Sequence, residues 1–418
     1  MIRLPFTNIH FNILILLILL HVCVGSINLV QVHLSPLTHF CYLTHLAQLH
    51  THPHYPQSGS SSTISQPLTT PFPINLSNNH FPANPPQSMS HSHTTFHVTK
   101  THAHLKWDNS LKPILTVPSG SEISFDLLDG GHNQFTATST DADILTFNFS
   151  TADPCIGPVY ITDAEPGDVL KIEFLDLETA SYGWTSIFPG SVGFGLLHDE
   201  FPDHKLKIWD LETHGAEGYA VFKEGIHIPV NPFLGIVGVA REEKGEFSTI
   251  PPYETGGNID CKHITAGSTL YLPVKVKGAL FSCGDGHAAQ GDGEVCGTAI
   301  ETPMKVTVRL TVEKGMKWVV SPHYVTSEKH SENLMRGGNK GEYAVLGIDA
   351  DLREASRKAL RGLINWLVGE KGLTREEAYI LASVAADLKI AEAVDMPHYG
   401  VACSLPLSRF VGKPYVRL

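Results

Sequence analysis

The chain has 418 residues, of which 42% are hydrophobic, a share that is normal for a globular protein with a large core. Only three of its 30 basic residues precede Asp108, which leaves 27 basic residues and all 42 acidic ones after that point, a net charge of −15. An acidic body of this kind would repel phosphates, which argues against a nucleic-acid partner and is compatible with a small neutral substrate or a bound cation.

The first 97 residues differ in character from the rest of the chain. Residues 11–25 form an apolar run after Arg3, too short to predict a membrane span and similar to the core of a signal peptide. We expect residues 1–25 to be either a signal peptide, which implies the secretory route, or an extension from a mis-joined gene model. Residues 26–97 are rich in His, Ser and Pro and lack acids, so we expect them to be disordered.

Turn-and-strand units repeat at irregular spacing through the body of the chain. A glycine turn precedes an alternating segment at residues 118–129, 165–177 and 265–276, a pattern that is typical of a β-sandwich or barrel. Helix signals come late, where Asp351 with Glu354 and Thr374 with Glu377 predict capping boxes. We therefore predict a mainly β (α+β) fold, with a β-sandwich or jelly-roll-like body, a small C-terminal helical part and a disordered N-terminal extension.

Residues 284–294 (GDGHAAQGDGE) combine five potential ligand side chains with four glycines. The apolar run Leu270–Ser282 predicts a buried strand before them, and the alternation over Lys305–Glu313 predicts a half-buried strand after them. The sequence therefore predicts a glycine-rich loop that holds a site between two strands. Carboxylates beside an imidazole suit a borderline metal such as zinc, and a nearby Glu can serve as general base. The alternative is a β-turn with solvated acids.

Metal ligation is predicted first for His287, which Asp285 and Asp292 flank. Asp129 ends the alternating segment at residues 123–128, so it would either point into a site or act only as a turn residue. The acid Glu294 is the candidate general base, because a carboxylate within reach of a metal-activated water can take its proton and later deliver it to the leaving nitrogen.

Further candidates have both a functional and a structural interpretation. Gln290 is a candidate donor to the developing oxyanion. Asn258 and Asp260 follow Gly256-Gly257, so they either form a turn or, for Asp260, orient a ligating histidine. The cysteines on either side of the glycine-rich stretch, Cys283 and Cys296, would be metal ligands or a nucleophile, or small buried hydrophobic residues beside a site. No GxSxG motif supports a serine nucleophile.

The string GALFSCGDGHAAQGDGEVCGTAIETP, at residues 278–303, closely resembles the acetamidase/formamidase family. Other segments agree with the family in the same order, so the resemblance extends from about residue 100 to residue 410. They are HLKWDN at 104–109, GPVY at 157–160, AEPGD at 164–168, GWT at 183–185, FGLL at 194–197, NPFLG at 231–235, GGNID at 256–260, LTREEAY at 373–379 and VD at 394–395.

This resemblance implies a catalytic domain over residues 98–418 that cleaves a short linear carboxamide to a carboxylate and ammonia with metal-activated water. It implies a divalent metal, with zinc as the expected ion, and lets His104 of the HLKW segment complete the ligand set, although a core position is the alternative. It also implies a substrate site that includes Asn258, Asp260, Asp292 and Trp184. The resembling enzymes are intracellular, which predicts a cytoplasmic location without stable membrane association. We also expect a homo-oligomer.

Two other functions remain open from the sequence. The same residues would serve a hydrolase of a cyclic amide, such as a γ-lactam, or a non-catalytic β-sandwich that binds a metal or a sugar. The aromatic, glycine-rich segment at residues 186–199 is predicted to be a lid or a wall of the substrate site.

Overall fold

The computed structural model describes residues 96–328 and 341–410. The predicted signal segment and almost all of the predicted disordered extension lie outside these described residues. Among the residues that are described, no helix combines the length and the apolar character that a membrane crossing requires.

Strands dominate this part of the chain, in agreement with the predicted fold class. In chain order they are β1 Phe96–Val98, β2 Ala103–His104, β3 Lys106–Trp107, β4 Leu115–Val117, β5 Ser121–Leu127, β6 Cys155–Ile161, β7 Val169–Thr179, β8 Tyr182–Ile187, β9 Lys205–Asp210, β10 Tyr219–Lys223, β11 Ile226–Pro229, β12 Phe233–Gly238, β13 Phe247–Ser248, β14 Pro252–Tyr253, β15 Gly256–Asn258, β16 Thr269–Pro273, β17 Phe281–His287, β18 Met304–Glu313, β19 His323–Val325, β20 Glu342–Asp349, β21 Asp387–Glu392 and β22 Tyr399–Pro406.

The larger sheet has nine strands in the order β1-β5-β18-β7-β16-β19-β20-β22-β21. Strand β18 lies near one end of this order and pairs antiparallel with β5 and β7. Its Val306, Val308 and Leu310 are fully buried, whereas Lys305, the residue before Val306, is exposed. The half-buried strand predicted from this alternation is therefore confirmed.

The second sheet contains β14, β15, β12, β17, β6 and β2 in that order, with β4 pairing to β6. Its apolar residues share one hydrophobic core with those of the nine-stranded sheet. At this junction the rings of Phe125 on β5 and Phe281 on β17 meet with centroids 5.9 Å apart. The body of the protein therefore consists of two sheets that bury their apolar faces against each other.

The described residues include two α-helices, both near the C-terminus, α1 Leu352–Lys371 and α2 Arg375–Ala385. The capping box predicted at Thr374 and Glu377 is present in full. At the start of α1 only half of the predicted box forms, because Asp351 accepts a hydrogen bond from the Glu354 N–H while the Glu354 carboxylate pairs with Arg357. This mainly β body with a small helical part at its C-terminal end confirms the predicted class.

The prediction of one strand over Leu270–Ser282 was wrong. Strand β16 ends at Pro273 in the nine-stranded sheet, and the chain then crosses to the second sheet before β17 begins at Phe281. Ala279 and Leu280, both with φ of 57°, make the turn between them. Residues 284–287 are therefore strand rather than loop. Gly286 is required there for close packing, since a Cβ would lie 2.6 Å from the Thr302 carbonyl oxygen.

Candidate functional site

Strand β17 ends at His287, whose ring lies between three buried carboxylates. The His287 Nε2 atom is 3.1 Å from Asp285 Oδ2 and 3.2 Å from Glu301 Oε2. On the other side of the ring, Nδ1 is 3.6 Å from Asp260 Oδ1, an ion-pair distance rather than a hydrogen bond. The carboxylate of Glu294 completes the group, with a ligand atom within 4.8 Å of those of Asp260 and His287. We call these five residues the His287 cluster.

The fold gathers the cluster from four separate segments. Asp285 precedes His287 on β17, and Glu301 reaches it through an isolated antiparallel bridge between residues 287 and 301. Asp260 follows β15, which pairs with β12 beside β17. Glu294 comes from the glycine-rich stretch, which a bridge between Gly293 and Glu392 ties to the C-terminal strands. Asp260 and His287 are distant in sequence but lie close together because β15 and β17, the two strands that flank β12, both end near the start of β12.

The backbone of the cluster is strained. Asp260, Asp285 and Glu294 have φ values of 38°, 56° and 44°, in the left-handed region that residues other than glycine rarely adopt. Such conformations cost about 1–3 kcal/mol each and cluster at functional sites. Glycines leave the space that two of these side chains occupy. A Cβ on Gly235 would collide with Asp285 and lie 2.5 Å from Asp260 Oδ1, and one on Gly130 would lie 2.5 Å from Asp285 Oδ1.

Burial and crowding shift the acid-base properties of the cluster. Burial raises the pKa of Glu301 to about 8, and burial together with Asp260 raises the pKa of Glu294 well above its usual range. Burial alone would lower the pKa of His287, but Asp285 and Glu301 raise it well above its usual value. Burial would likewise raise the pKa of Asp285, yet the His287 ring holds it lower than usual. The cluster thus contains four buried carboxyl groups and one histidine, whose single positive charge cannot neutralise all four in their ionised form.

Several buried atoms of the cluster lack a hydrogen-bond partner, a costly state that a cation relieves. They include both ring nitrogens of His287, Asp285 Oδ1, Glu301 Oε2 and both carboxylate oxygens of Asp260. The short distances from His287 Nε2 to Asp285 and Glu301 are ion-pair contacts whose angles do not suit a hydrogen bond. Two overlapping groups have ligand atoms close enough to hold a metal ion, Asp260–His287–Glu294 and Asp285–His287–Glu301. Imidazole nitrogen with carboxylate oxygen is a donor set that suits a divalent ion such as zinc. The residues present therefore fit the predicted metal.

A cavity of about 50 Å³ lies directly above the cluster. Asp260, Asp285, Glu294 and Glu301 line it together with a group of aromatic rings. The predicted substrate residue Asn258 also lines this cavity. Its amide nitrogen donates to Asp395 Oδ2 at 3.1 Å, whereas its buried Oδ1 has no partner and remains able to accept a hydrogen bond.

Trp184 and Asp129, both predicted site residues, are joined to each other. The Trp184 indole N–H donates to Asp129 Oδ2 at 3.1 Å, and the Asn133 N–H donates to Asp129 Oδ1 at 2.7 Å. Both carboxylate oxygens of Asp129 are therefore engaged, and burial raises its pKa to about 6. Trp184 lines the cavity. The structure thus places Asp129 behind Trp184 as an orienting partner instead of in the metal cluster.

Three other predicted residues are not brought to the cavity. His104 uses both ring nitrogens elsewhere, at 2.9 Å from Ser282 Oγ and 2.9 Å from the Lys106 carbonyl oxygen, so no nitrogen remains for a metal. Gln290 donates its amide to the Asp260 carbonyl at 2.8 Å and fixes that turn, so this donor is not aimed at an oxyanion.

Asp292 points away from the cavity as well, because Lys262 and His263 bind its two oxygens at 3.1 Å each. Of the cysteines, Cys283 lies in the core between the sheets, where burial raises its pKa, as expected for a small hydrophobic residue. Cys296 lies half-buried with its sulfur next to Thr298, outside the cluster.

Sequence reasoning missed several acids of the site. Glu301, Asp153 and Asp395 line the cavity, and Glu392 lies behind it, fully buried. Burial and Asp260 raise the pKa of Asp395 well above its usual range. Glu301 and Asp395 stand inside the segments ETP and VD that carry the family resemblance, which was the one available signal. Asp153 has no such signal, since it is a single acid before Pro154.

Comparison with known proteins shows which family this chain resembles. A model of the acetamidase/formamidase family matches residues 90–245 and 242–411. The formamidase of Methylophilus methylotrophus is 25% identical over 375 residues, which cover 73% of this chain and 89% of that protein. An acetamidase of Mycolicibacterium smegmatis is 26% identical over 66% of this chain and 84% of its own length. The crystal structure of an acetamidase from Bacillus halodurans superposes with a TM-score of 0.66 at 27% identity, over 75% of this chain and 98% of that one.

Proposed function

Because the chain belongs to the acetamidase/formamidase family, we propose that it hydrolyses a short linear carboxamide, such as formamide or acetamide, to the carboxylate and ammonia. One observation carries this proposal. The buried His287 cluster opens onto a cavity of about 50 Å³, which accommodates only a few non-hydrogen atoms. Polar groups for an amide and for water therefore face a space of the size of a small amide.

We propose that Asp285, His287 and Glu301 hold a zinc or similar divalent ion, and that Asp260 orients the His287 ring from its Nδ1 side. When bound, such an ion supplies Lewis acidity, which polarises the amide carbonyl and lowers the pKa of a nearby water. The unpartnered oxygens of Asp285 and Glu301 support this ligand set.

Glu294 is the proposed general base and acid. It lines the cavity beside the proposed ligands, and its pKa is raised by burial, which brings a carboxyl group closer to the pH at which it works. As the water oxygen attacks the carbonyl carbon, Glu294 takes one proton. It then returns that proton to the amide nitrogen as the carbon–nitrogen bond breaks, and ammonia leaves. The free Oδ1 of Asn258 accepts a hydrogen bond from the substrate N–H₂ group.

Finer aspects of the molecule are also proposals. We interpret the two-sheet body as a β-sandwich and residues 1–95 as lying outside the catalytic domain. We further propose that the protein is a homo-oligomer, because large apolar side chains such as Val295 and Leu197 are more than half exposed. Size-exclusion chromatography with light scattering would give the mass of the assembly, and a monomer would contradict this proposal.

The test of the activity is ammonia release from a panel of amides by the purified full-length protein. We expect turnover of formamide and acetamide, and no turnover by a His287→Ala variant, because the ring on which the cluster is centred is removed. The panel should include 2-pyrrolidinone, a cyclic amide. Turnover of the cyclic amide alone would replace the proposal by a γ-lactam hydrolase, and turnover of no amide by the metal-loaded protein would leave a non-catalytic binding protein.

A further inference from the structure

The lining of the cavity above the His287 cluster contains two chemically different groups of side chains. Besides the carboxylates, five aromatic rings line the cavity, and we call them the aromatic wall: Phe147, Phe149, Trp184, Phe188 and Phe194. Trp184 belongs to β8, and Phe188 and Phe194 belong to the segment predicted from the sequence to be a lid or wall. The remaining two rings come from the short helical turns at residues 141–151.

The rings of the aromatic wall pack against one another, so moving one of them away from the cavity would break contacts between rings. The ring centroids of Phe149 and Phe188 are 4.7 Å apart, and those of Phe188 and Phe194 are 5.7 Å apart. These are distances at which aromatic pairs attract each other. Trp184 is fixed in addition by its hydrogen bond to Asp129.

Two glycine backbones pack closely against rings of the wall. A Cβ on Gly297 would lie 2.6 Å from the Phe194 ring, and a Cβ on Gly131 would lie 2.7 Å from the Trp184 ring. Both backbones therefore approach the rings as closely as the absence of a side chain allows. Phe194 and Trp184 are thus held in place by the neighbouring backbone as well as by other rings.

The two groups of lining side chains determine how an amide lies in the cavity. The carbonyl oxygen and the amide nitrogen need polar partners, because a buried polar group without one is costly. The carboxylates of the His287 cluster and Asn258 supply such partners in the lining, whereas the phenylalanine rings of the aromatic wall offer none. The acyl substituent is the one part of the molecule that needs no hydrogen bond, so it faces the aromatic wall.

We propose that Phe149, Phe188 and Phe194 determine which amides are substrates by limiting the acyl group to a hydrogen or a methyl. This inference rests on the proposed amidase function and deepens it. The rings act as the end of the acyl pocket, and each added methylene of the substrate must displace one of them. Phe149 and Phe194 are only partly buried, so they can be shortened with less loss of core packing than the fully buried Phe188.

The test compares kcat/KM for formamide, acetamide, propionamide and butyramide in the metal-loaded wild-type protein and in the variants Phe149→Ala and Phe194→Ala. We expect the butyramide-to-acetamide ratio to rise about tenfold or more, since one methylene in an apolar pocket is worth roughly 10–200-fold. Phe201→Ala is the matched control, because Phe201 lies on the same connecting segment, is 48% exposed and does not line the cavity. It should leave the ratio unchanged.

A variant in the opposite direction guards against a general loss of folding. Ala152→Val adds bulk to the same cavity and should lower the acetamide-to-formamide ratio. If an alanine variant does not fold, Phe149→Leu and Phe194→Leu serve in its place. Unchanged ratios in folded variants, with an active wild-type protein, would overturn the inference and leave the proposed function intact. A wild-type protein inactive on every amide would overturn the proposed function itself.

Discussion

His287 is surrounded by more negative charge than its own ring can neutralise. Asp285 and Glu301 approach one ring nitrogen and Asp260 approaches the other, all of them buried. Isolated buried charges are costly, so such a group persists only with protons or a cation among its members. Three of its acids also hold strained left-handed backbone conformations. A site that is both strained and charge-crowded is more consistent with a functional role than with a contribution to stability.

Replacing Glu294 with Gln should abolish most activity without removing the metal. The variant keeps the shape of the side chain but can no longer accept a proton, so we expect kcat to fall about 10²–10⁴-fold. Ammonia release measures the loss, and metal analysis of the same preparation measures the retained ion. Asp292→Asn is the matched control, because this acid of the same stretch faces Lys262 and His263 and should retain activity. If Glu294→Gln also loses the metal, Glu294 is a ligand and another group is the base.

The residues of the cluster differ in how far the sequence could predict them. Asp285, His287 and Glu294 stand within ten residues among glycines, and this density of ligand types was a usable signal. Glu301 is a single acid whose place in the family-like ETP segment was its one signal in the sequence, and its bridge to His287 then places it beside the ring. The sequence did not indicate where His104 lies, because its spacing to Trp107 does not specify the hydrogen-bond partners of its ring nitrogens.

Strand β12 lies next to β17 in the sheet. Gly235 on β12 leaves the space that the cluster side chains occupy. A Cβ at Gly235 would collide with Asp285, lie 2.5 Å from Asp260 Oδ1 and lie 2.9 Å from His287 Cε1. Gly235→Ala should therefore displace three cluster residues and reduce both bound metal and ammonia release at least tenfold.

The matched control for this element is Gly291→Ala. Gly291 lies in the glycine-rich stretch itself, but a Cβ there would meet no atom within 4 Å. We expect its activity and metal content to remain within a factor of two or so of wild type, since surface substitutions away from such contacts usually change stability little. Equal losses in the two variants would show that the stretch tolerates no side chain anywhere, contrary to the steric argument.

His323 on β19 should make stability depend on pH. It is fully buried, with Nδ1 2.6 Å from the Tyr343 hydroxyl, and burial lowers its pKa to about 3. The unfolded chain, with an ordinary histidine pKa of about 6.5, binds this proton first as pH falls, so the fold loses stability between about pH 6.5 and 3.

The test is the pH dependence of unfolding in wild type and His323→Gln. From pH 7.5 to 5.5 the wild-type free energy of unfolding should fall by about 1.4 kcal/mol more than that of the variant, which lacks the titrating ring. Denaturant unfolding at both pH values measures the difference. Parallel pH dependences in the two proteins would mean that His323 is protonated in the folded state as readily as in the unfolded one.

At the level of strands and helices, the sequence predicted the features that depend only on neighbouring residues. The alternation of β18 and the capping box of α2 both appeared as expected, because they depend on neighbours in the sequence. The break between β16 and β17 was not predicted, since β17 and all of β16 except Thr269 are buried and the sequence gives one continuous apolar run. Which sheet each half joins is decided by long-range pairing.

The N-terminal boundary of the folded body can be tested by two deletions. Strand β1 begins at Phe96 and pairs with β5 at the edge of the nine-stranded sheet, so this sheet includes residues before the boundary at residue 98 that the sequence suggested. Val98, at the end of β1, is 3% exposed. Removing residues 1–89 should leave the melting temperature and activity unchanged. Removing residues 1–98 should lower stability by about 1.5–3 kcal/mol, the contribution of one buried valine-sized side chain. Equal stability of both truncations would show that β1 contributes little.

At the scale of the whole molecule, a two-sheet body holds a buried histidine and its carboxylates, and we propose that they bind a divalent ion for the hydrolysis of small amides. The most direct measurement is ammonia release from acetamide by one preparation of the full-length protein before chelation, after chelation and after addition of zinc, with bound metal measured at each stage. We predict that activity falls with the bound metal and returns with zinc, and that His287→Ala neither binds zinc nor becomes active. Full activity in the thoroughly metal-free protein would contradict the account.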